Sequence, residues 1–177
     1  MNPQQQQQQN PQPKKQSTKK ADKRQRKYPV LIEINDSHEI EGELHSSEMI
    51  CDGVLAELPP EHGGGWQLDY TEQSEGLEGS LAALRVQQHT VSLSREGDFP
   101  LEITLEQGVR HHCYYSTPAG MVHLGVYARS VESEMTDAGG RIKLWYTLDF
   151  SADMMSLNKM EINVRRLTAP AQQTYMN

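Results

Sequence analysis

Between residues 108 and 166 apolar and polar side chains alternate. Val122, Leu124, Val126 and Ala128 share one parity, and so do Ile142, Leu144, Tyr146, Leu148 and Phe150, then Met160, Ile162 and Val164. Period two puts each set on one face of a strand. The opposite positions, among them His123, Arg129, Lys143, Thr147, Asp149, Glu161, Asn163 and Arg165, are mostly polar. Each strand therefore has one buried and one wetted side, as antiparallel sheets do. With Gly108 to Ser116, this predicts four successive strands, joined by a Thr117-Pro118-Ala119-Gly120 turn and an Asp137-Ala138-Gly139-Gly140 loop.

Shorter strands precede them. Val30, Ile32 and Ile34 share a face, and Asp36-Ser37 reads as the turn that follows. A second alternating stretch starts at Ile40, Gly42 and Leu44 and continues from Met49 to Leu58, where Asp52-Gly53 suggests a bulge or sharp bend. Pro59-Pro60 and Gly63 to Gly65 end it. Trp66, Leu68, Tyr70 and Glu72 then alternate, and a Gly-rich acidic loop from Glu75 to Gly79 follows. Leu84 with Val86, Val91 with Leu93, and Leu101 with Ile103 and Leu105 give three more strands, two of them linked tightly through Arg95 to Asp98. Leu77, Leu81 and Leu84 would share a helical face, but Gly79 and the alternation beyond it favour a strand. Nine to eleven strands with almost no helical periodicity predict a chain that closes on itself or splits into a sandwich.

Charge divides the chain differently. Residues 1–27 contain six consecutive glutamines, Gln4 to Gln9, then eight of the 17 basic residues and only one of the 24 acids, so the net charge of −7 hides a basic tail on an acidic body. The tail has no aliphatic surface to offset the entropy of ordering and is expected to be disordered. It could hold RNA or another polyanion by counterion release, or meet a protein partner. It lacks the interleaved aromatics that stack on bases, which favours a merely solvating role. No apolar stretch follows the charges, so neither a secretory signal nor a membrane anchor is expected, and the reading is cytoplasmic. Residues 28–168 suit one domain with one core, and 169–177 read as a flexible end. Cys51 and Cys113 are too few for a disulfide framework and read as small buried thiols.

Tyr70-Thr71-Glu72 in an early strand, Tyr115-Ser-Thr-Pro-Ala-Gly120 opening a long strand, and Gly140-Arg-Ile-Lys-Leu-Trp-Tyr146 opening the next together resemble the YwiB-like family of small bacterial proteins, a family of unknown function. The resemblance covers roughly residues 29–166. It implies an all-β fold, a single closed antiparallel calycin-like (lipocalin-type) β-barrel in the cytoplasm, with no established activity or catalytic residues. Positions alone carry over: Gly53, Tyr70, Glu72, Tyr115, Gly120 and Tyr146. Gln73 stands where an acid often follows Glu72, which argues against a carboxylate pair.

Candidate chemistry is sparse. No nucleophile elbow, phosphate-cradling loop or dinucleotide fingerprint occurs, so no catalytic residue and no cofactor is expected. His111, His112 and His123 with Cys113 could ligate a metal only if they faced one way. Alternation sends His112 opposite to His111 and Cys113, so no metal is expected. Glu72 is set apart from the many outward acids, because it follows Trp66, Leu68 and Tyr70 on an inward face and needs a partner there. Tyr70, Glu72, Tyr115 and Tyr146 are thus the candidate lumen residues for a small amphipathic ligand. Two alternatives stand beside it: a core simply filled by its tyrosines, and an interaction module working through the outer face and the tail.

Overall fold

The computed structural model describes residues 25–117, 120–150 and 154–168. Almost all of the basic tail, the centre of the Thr117–Gly120 turn and the 169–177 end lie outside the described residues. Ten antiparallel strands form one sheet: β1 (Lys27–Ile40), β2 (Glu43–Glu57), β3 (Trp66–Thr71), β4 (Leu81–Gln87), β5 (Thr90–Glu96), β6 (Leu101–Glu106), β7 (Arg110–Thr117), β8 (Gly120–Thr136), β9 (Gly139–Asp149) and β10 (Met155–Arg166). One 3-10 turn, Pro60–His62, interrupts the β2–β3 connection. Among the described residues there is no α-helix, and no helix long and apolar enough to cross a membrane. Of Leu77 to Val86, the stretch that allows a helical face, Leu77 lies in a turn and Leu81 to Val86 in β4.

The sheet runs in the order β6-β5-β4-β3-β2-β1-β10-β9-β8-β7. The first strand therefore pairs with the last, with Ile32 opposite Val164 and Ile34 opposite Ile162. The two edges, β6 and β7, curl round to lie side by side without a ladder. What joins them is local. Gln107 makes an isolated parallel bridge to Ala128, and the Gly108 N–H donates to the Ala128 carbonyl at 2.9 Å. The barrel is nearly closed, with a seam along one line. That seam keeps both edges facing each other and away from a foreign strand.

Inward positions form one apolar core, in which Val30, Ile32, Leu55, Leu68, Val91, Ile142 and Ile162 are fully buried. Three local features differ from the pattern-based reading. Asp36-Ser37 is not a turn, because β1 continues to Ile40 and reverses at Glu41-Gly42, whose φ values of 53° and 84° make the left-handed pair that a two-residue hairpin needs. Gly53 is not a bulge, since the β1–β2 register runs unbroken through its pairing with Val30. It marks a close approach instead: a Cβ there would run into the Ile32 side chain and lie 2.7 Å from the Asp69 carbonyl oxygen. The bulge is in β8, between Ala128 and Ser130, and shifts the inward parity from Val126 and Ala128 to Val131.

Candidate functional site

Antiparallel order puts the β1–β2, β3–β4, β5–β6, β7–β8 and β9–β10 connections at one end of the barrel. Four strands change character as they approach it. On β1 the inward series is Val30, Ile32, Ile34, then Asp36 and His38; on β3 it is Leu68, Tyr70, then Glu72 beyond the strand. On β5 it is Val91, Leu93, Arg95, and on β10, read towards the same end, Val164, Ile162, Met160, Asn158, Ser156. The opposite end stays apolar, with Leu55, Leu58, Val86, Leu105, Val131 and Ile142 buried there and the Arg166 guanidinium lying 4.2 Å over the Tyr28 ring.

Two polar groups occupy the first end. In one, Glu72 is 8% exposed, and its Oε1 accepts from the Ser74 hydroxyl at 2.7 Å and from the Ser74 N–H at 3.4 Å. Burial pushes the Tyr70 phenol well above its ordinary pKa, Glu72 and Cys51 push it the same way, and Arg95 opposes them. Burial, then Glu72 and Asp52, likewise raise the Cys51 thiol, so it stays protonated and poorly nucleophilic. Arg95 is 9% exposed, donates from Nε to the Phe99 carbonyl at 3.2 Å and from Nη2 to the Tyr115 hydroxyl at 3.2 Å, and lies 5.8 Å from the Tyr115 ring centroid. The contact joins β5 to β7 across the seam.

The second group surrounds Tyr146, whose phenol is raised by burial and by Asp36. Asp36 lies 3.4 Å from His38 Nδ1, and its carboxyl is itself pushed up by burial, with His38 opposing. Asn158, opposite both His38 and Tyr146 in the sheet, donates to the Ser156 hydroxyl at 2.8 Å. The structure thus brings Tyr70, Glu72 and Tyr115 to one cluster through Arg95, and sets Tyr146 with Asp36, His38 and Asn158. Arg95 and Asp36 are the inward charges that the pattern-based reading missed, although Val91-Leu93-Arg95 and Ile32-Ile34-Asp36 carry them on the buried parity. Elsewhere, His111 meets Glu106 at 3.0 Å, and His112 stacks on His123 on the outer face with ring centroids 5.1 Å apart.

The profile of a domain of unknown function, DUF1934, matches residues 32–162. The chain belongs to the DUF1934 family. Among solved structures, the ywiB protein from Bacillus subtilis is similar, with a TM-score of 0.71 at 19% identity over 81% of this chain and 96% of that one. At that identity the likeness is one of fold, and it supports the barrel. No curated protein matches the chain. The DUF1934 match spans both polar groups, including Asp36, Tyr70, Glu72, Arg95, Tyr115 and Tyr146.

Proposed function

We propose that this DUF1934 protein is a non-enzymatic binding barrel of calycin type that receives a small amphipathic molecule at its polar end. One observation carries the reading: on β1, β3, β5 and β10 the inward side chains pass from aliphatic to polar towards the same end. An apolar wall with a few convergent polar groups is the usual make-up of a small-molecule site. The up-and-down order of the strands supports the calycin type. Titrating the full chain with a neutral solvatochromic dye tests the proposal. Saturable uptake at one site is expected, with amide exchange slowed around Tyr70 to Glu72, Leu93 to Glu96 and Cys113 to Tyr115. Absence of saturable uptake, or slowing confined to outward strands, would reject it.

A second reading, an interaction module meeting a protein or RNA partner through its exterior and basic tail, is favoured by one outer groove. The groove encloses about 700 Å³ and is lined by Asn35, Ser47, Lys143, Trp145 and Glu161 among others. Trp145 remains 41% exposed there, with the Arg129 guanidinium 5.1 Å and the Lys159 ammonium 5.7 Å from its ring centroid. RNA binding that weakens with salt and disappears from a chain beginning at Tyr28 would favour this reading.

A further inference from the structure

Arg95 is a buried charge without a counter-charge in contact. Both of its hydrogen-bond acceptors, the Phe99 carbonyl and the Tyr115 hydroxyl, are neutral. Among the described residues no carboxylate lies within ion-pair distance of it. The buried acid of the same cluster, Glu72, is bound by Ser74 instead. A guanidinium cannot shed its proton at ordinary pH, so the charge persists through burial, and an unpaired buried charge is costly. The side chain has five N–H donors, of which the two bonds use two. Among the described residues no buried side-chain nitrogen or oxygen is left without a partner, and Nη1 makes no bond to any of them, so Nη1 is not fully buried.

Resting on the binding reading above, we propose that Arg95 is the anchor for an anionic head group, a carboxylate or phosphate, on the amphipathic ligand. Phe99 and Tyr115 hold the guanidinium from the other side and fix its plane. The apolar part of the ligand lies along Leu93, Leu101 and Cys113, which pack against the core without being fully covered. Arg suits this role because its planar fork meets carboxylate and phosphate oxygens two at a time.

Three probes of equal chain length, decanoate, decyl phosphate and decanol, test the proposal on the full chain, each kept below its micelle concentration. Wild type is expected to bind at least one anion about tenfold more tightly than decanol, as a hydrogen bond to a charged group gives. In Arg95→Gln that preference falls to about one while decanol binding is kept. If Arg95→Gln does not fold, Arg95→Lys is measured in its place, and a several-fold loss of preference is expected because the charge survives without the fork. The better of the two anions identifies the head group. Equal binding of all three probes by wild type overturns the anchor and leaves the binding barrel standing, as does a preference that survives either variant. Failure to bind any probe overturns both.

Discussion

The two ends of the barrel are made by the same strands and differ in what their inward positions hold. At one end Leu55, Leu68, Val86, Val131 and Ile142 exclude water, and Arg166 covers Tyr28. At the other, Glu72, Arg95, Asn158 and Ser156 are buried in hydrogen bonds that are mostly local: Ser74 serves Glu72, Phe99 serves Arg95, and Ser156 serves Asn158. Apolar packing rewards burial directly, whereas a satisfied polar cluster roughly breaks even on folding. The first end therefore carries stability, and the second can be altered with little loss of it. Such a division leaves side chains free to serve recognition.

Substitutions at the two ends should separate widely. The largest effect is expected for Leu68→Ala, which removes a fully buried side chain from the core and should cost about 2 to 5 kcal/mol in urea unfolding. Gly53→Ala comes next. Its methyl group would press on Ile32 and the Asp69 carbonyl, and about 1 to 3 kcal/mol should be lost, since Ile32 can change rotamer but the carbonyl belongs to the backbone. At the polar end, Glu72→Gln and Tyr146→Phe should each shift the unfolding free energy by under about 1 kcal/mol while weakening dye uptake. A larger shift without any uptake by wild type would make the polar end structural as well.

The smallest effect has the opposite sign. Burial raises the Asp36 carboxyl above its unfolded value, so the folded state holds the proton more tightly than the unfolded one. Its ionised form is therefore a cost to folding above the folded pKa, and that cost fades as pH falls through the pKa towards the unfolded value of about 3.9. Asp36→Asn should raise the melting temperature slightly at pH 7, with the gain disappearing below about pH 4. Melting curves from pH 3 to 8 check it. A loss of stability at pH 7 would mean that the His38 contact outweighs burial.

Much of this architecture is legible in the chain, for a physical reason. Alternation is fixed by the pleat, so Ile142 to Leu148 and Val30 to Ile34 declare both strand and buried face. Turns are less legible, because Asp36-Ser37 has turn composition but sits inside a ladder whose β10 partners, Met160 and Lys159, hold it extended. Glycine is ambiguous in the same way, and the unbroken register at Gly53, with its contacts to Ile32 and the Asp69 carbonyl, distinguishes close approach from a bulge. The convergence of Tyr70, Glu72 and Tyr115 depends on Arg95, whose place inside is legible but whose reach across the seam to β7 is a property of closure. Tyr146 faces inward as its parity requires, yet the tilt of the strands gives it Asp36 as a neighbour.

The pairing of β1 with β10 also sets how the chain must fold. Among the ladders described, it is the only one between strands that do not follow each other in sequence, and it brings Ile32 to Val164 across nearly the whole domain. Contacts so distant in sequence slow folding, since the loop must close before they form. The seam offers a way round. A chain joined from residue 168 to 28 and opened at 107–109 would run from β7 to β10 and then from β1 to β6, each strand beside the one before it. Every ladder would then form between neighbours in sequence, and the permuted chain should fold faster to the same sheet.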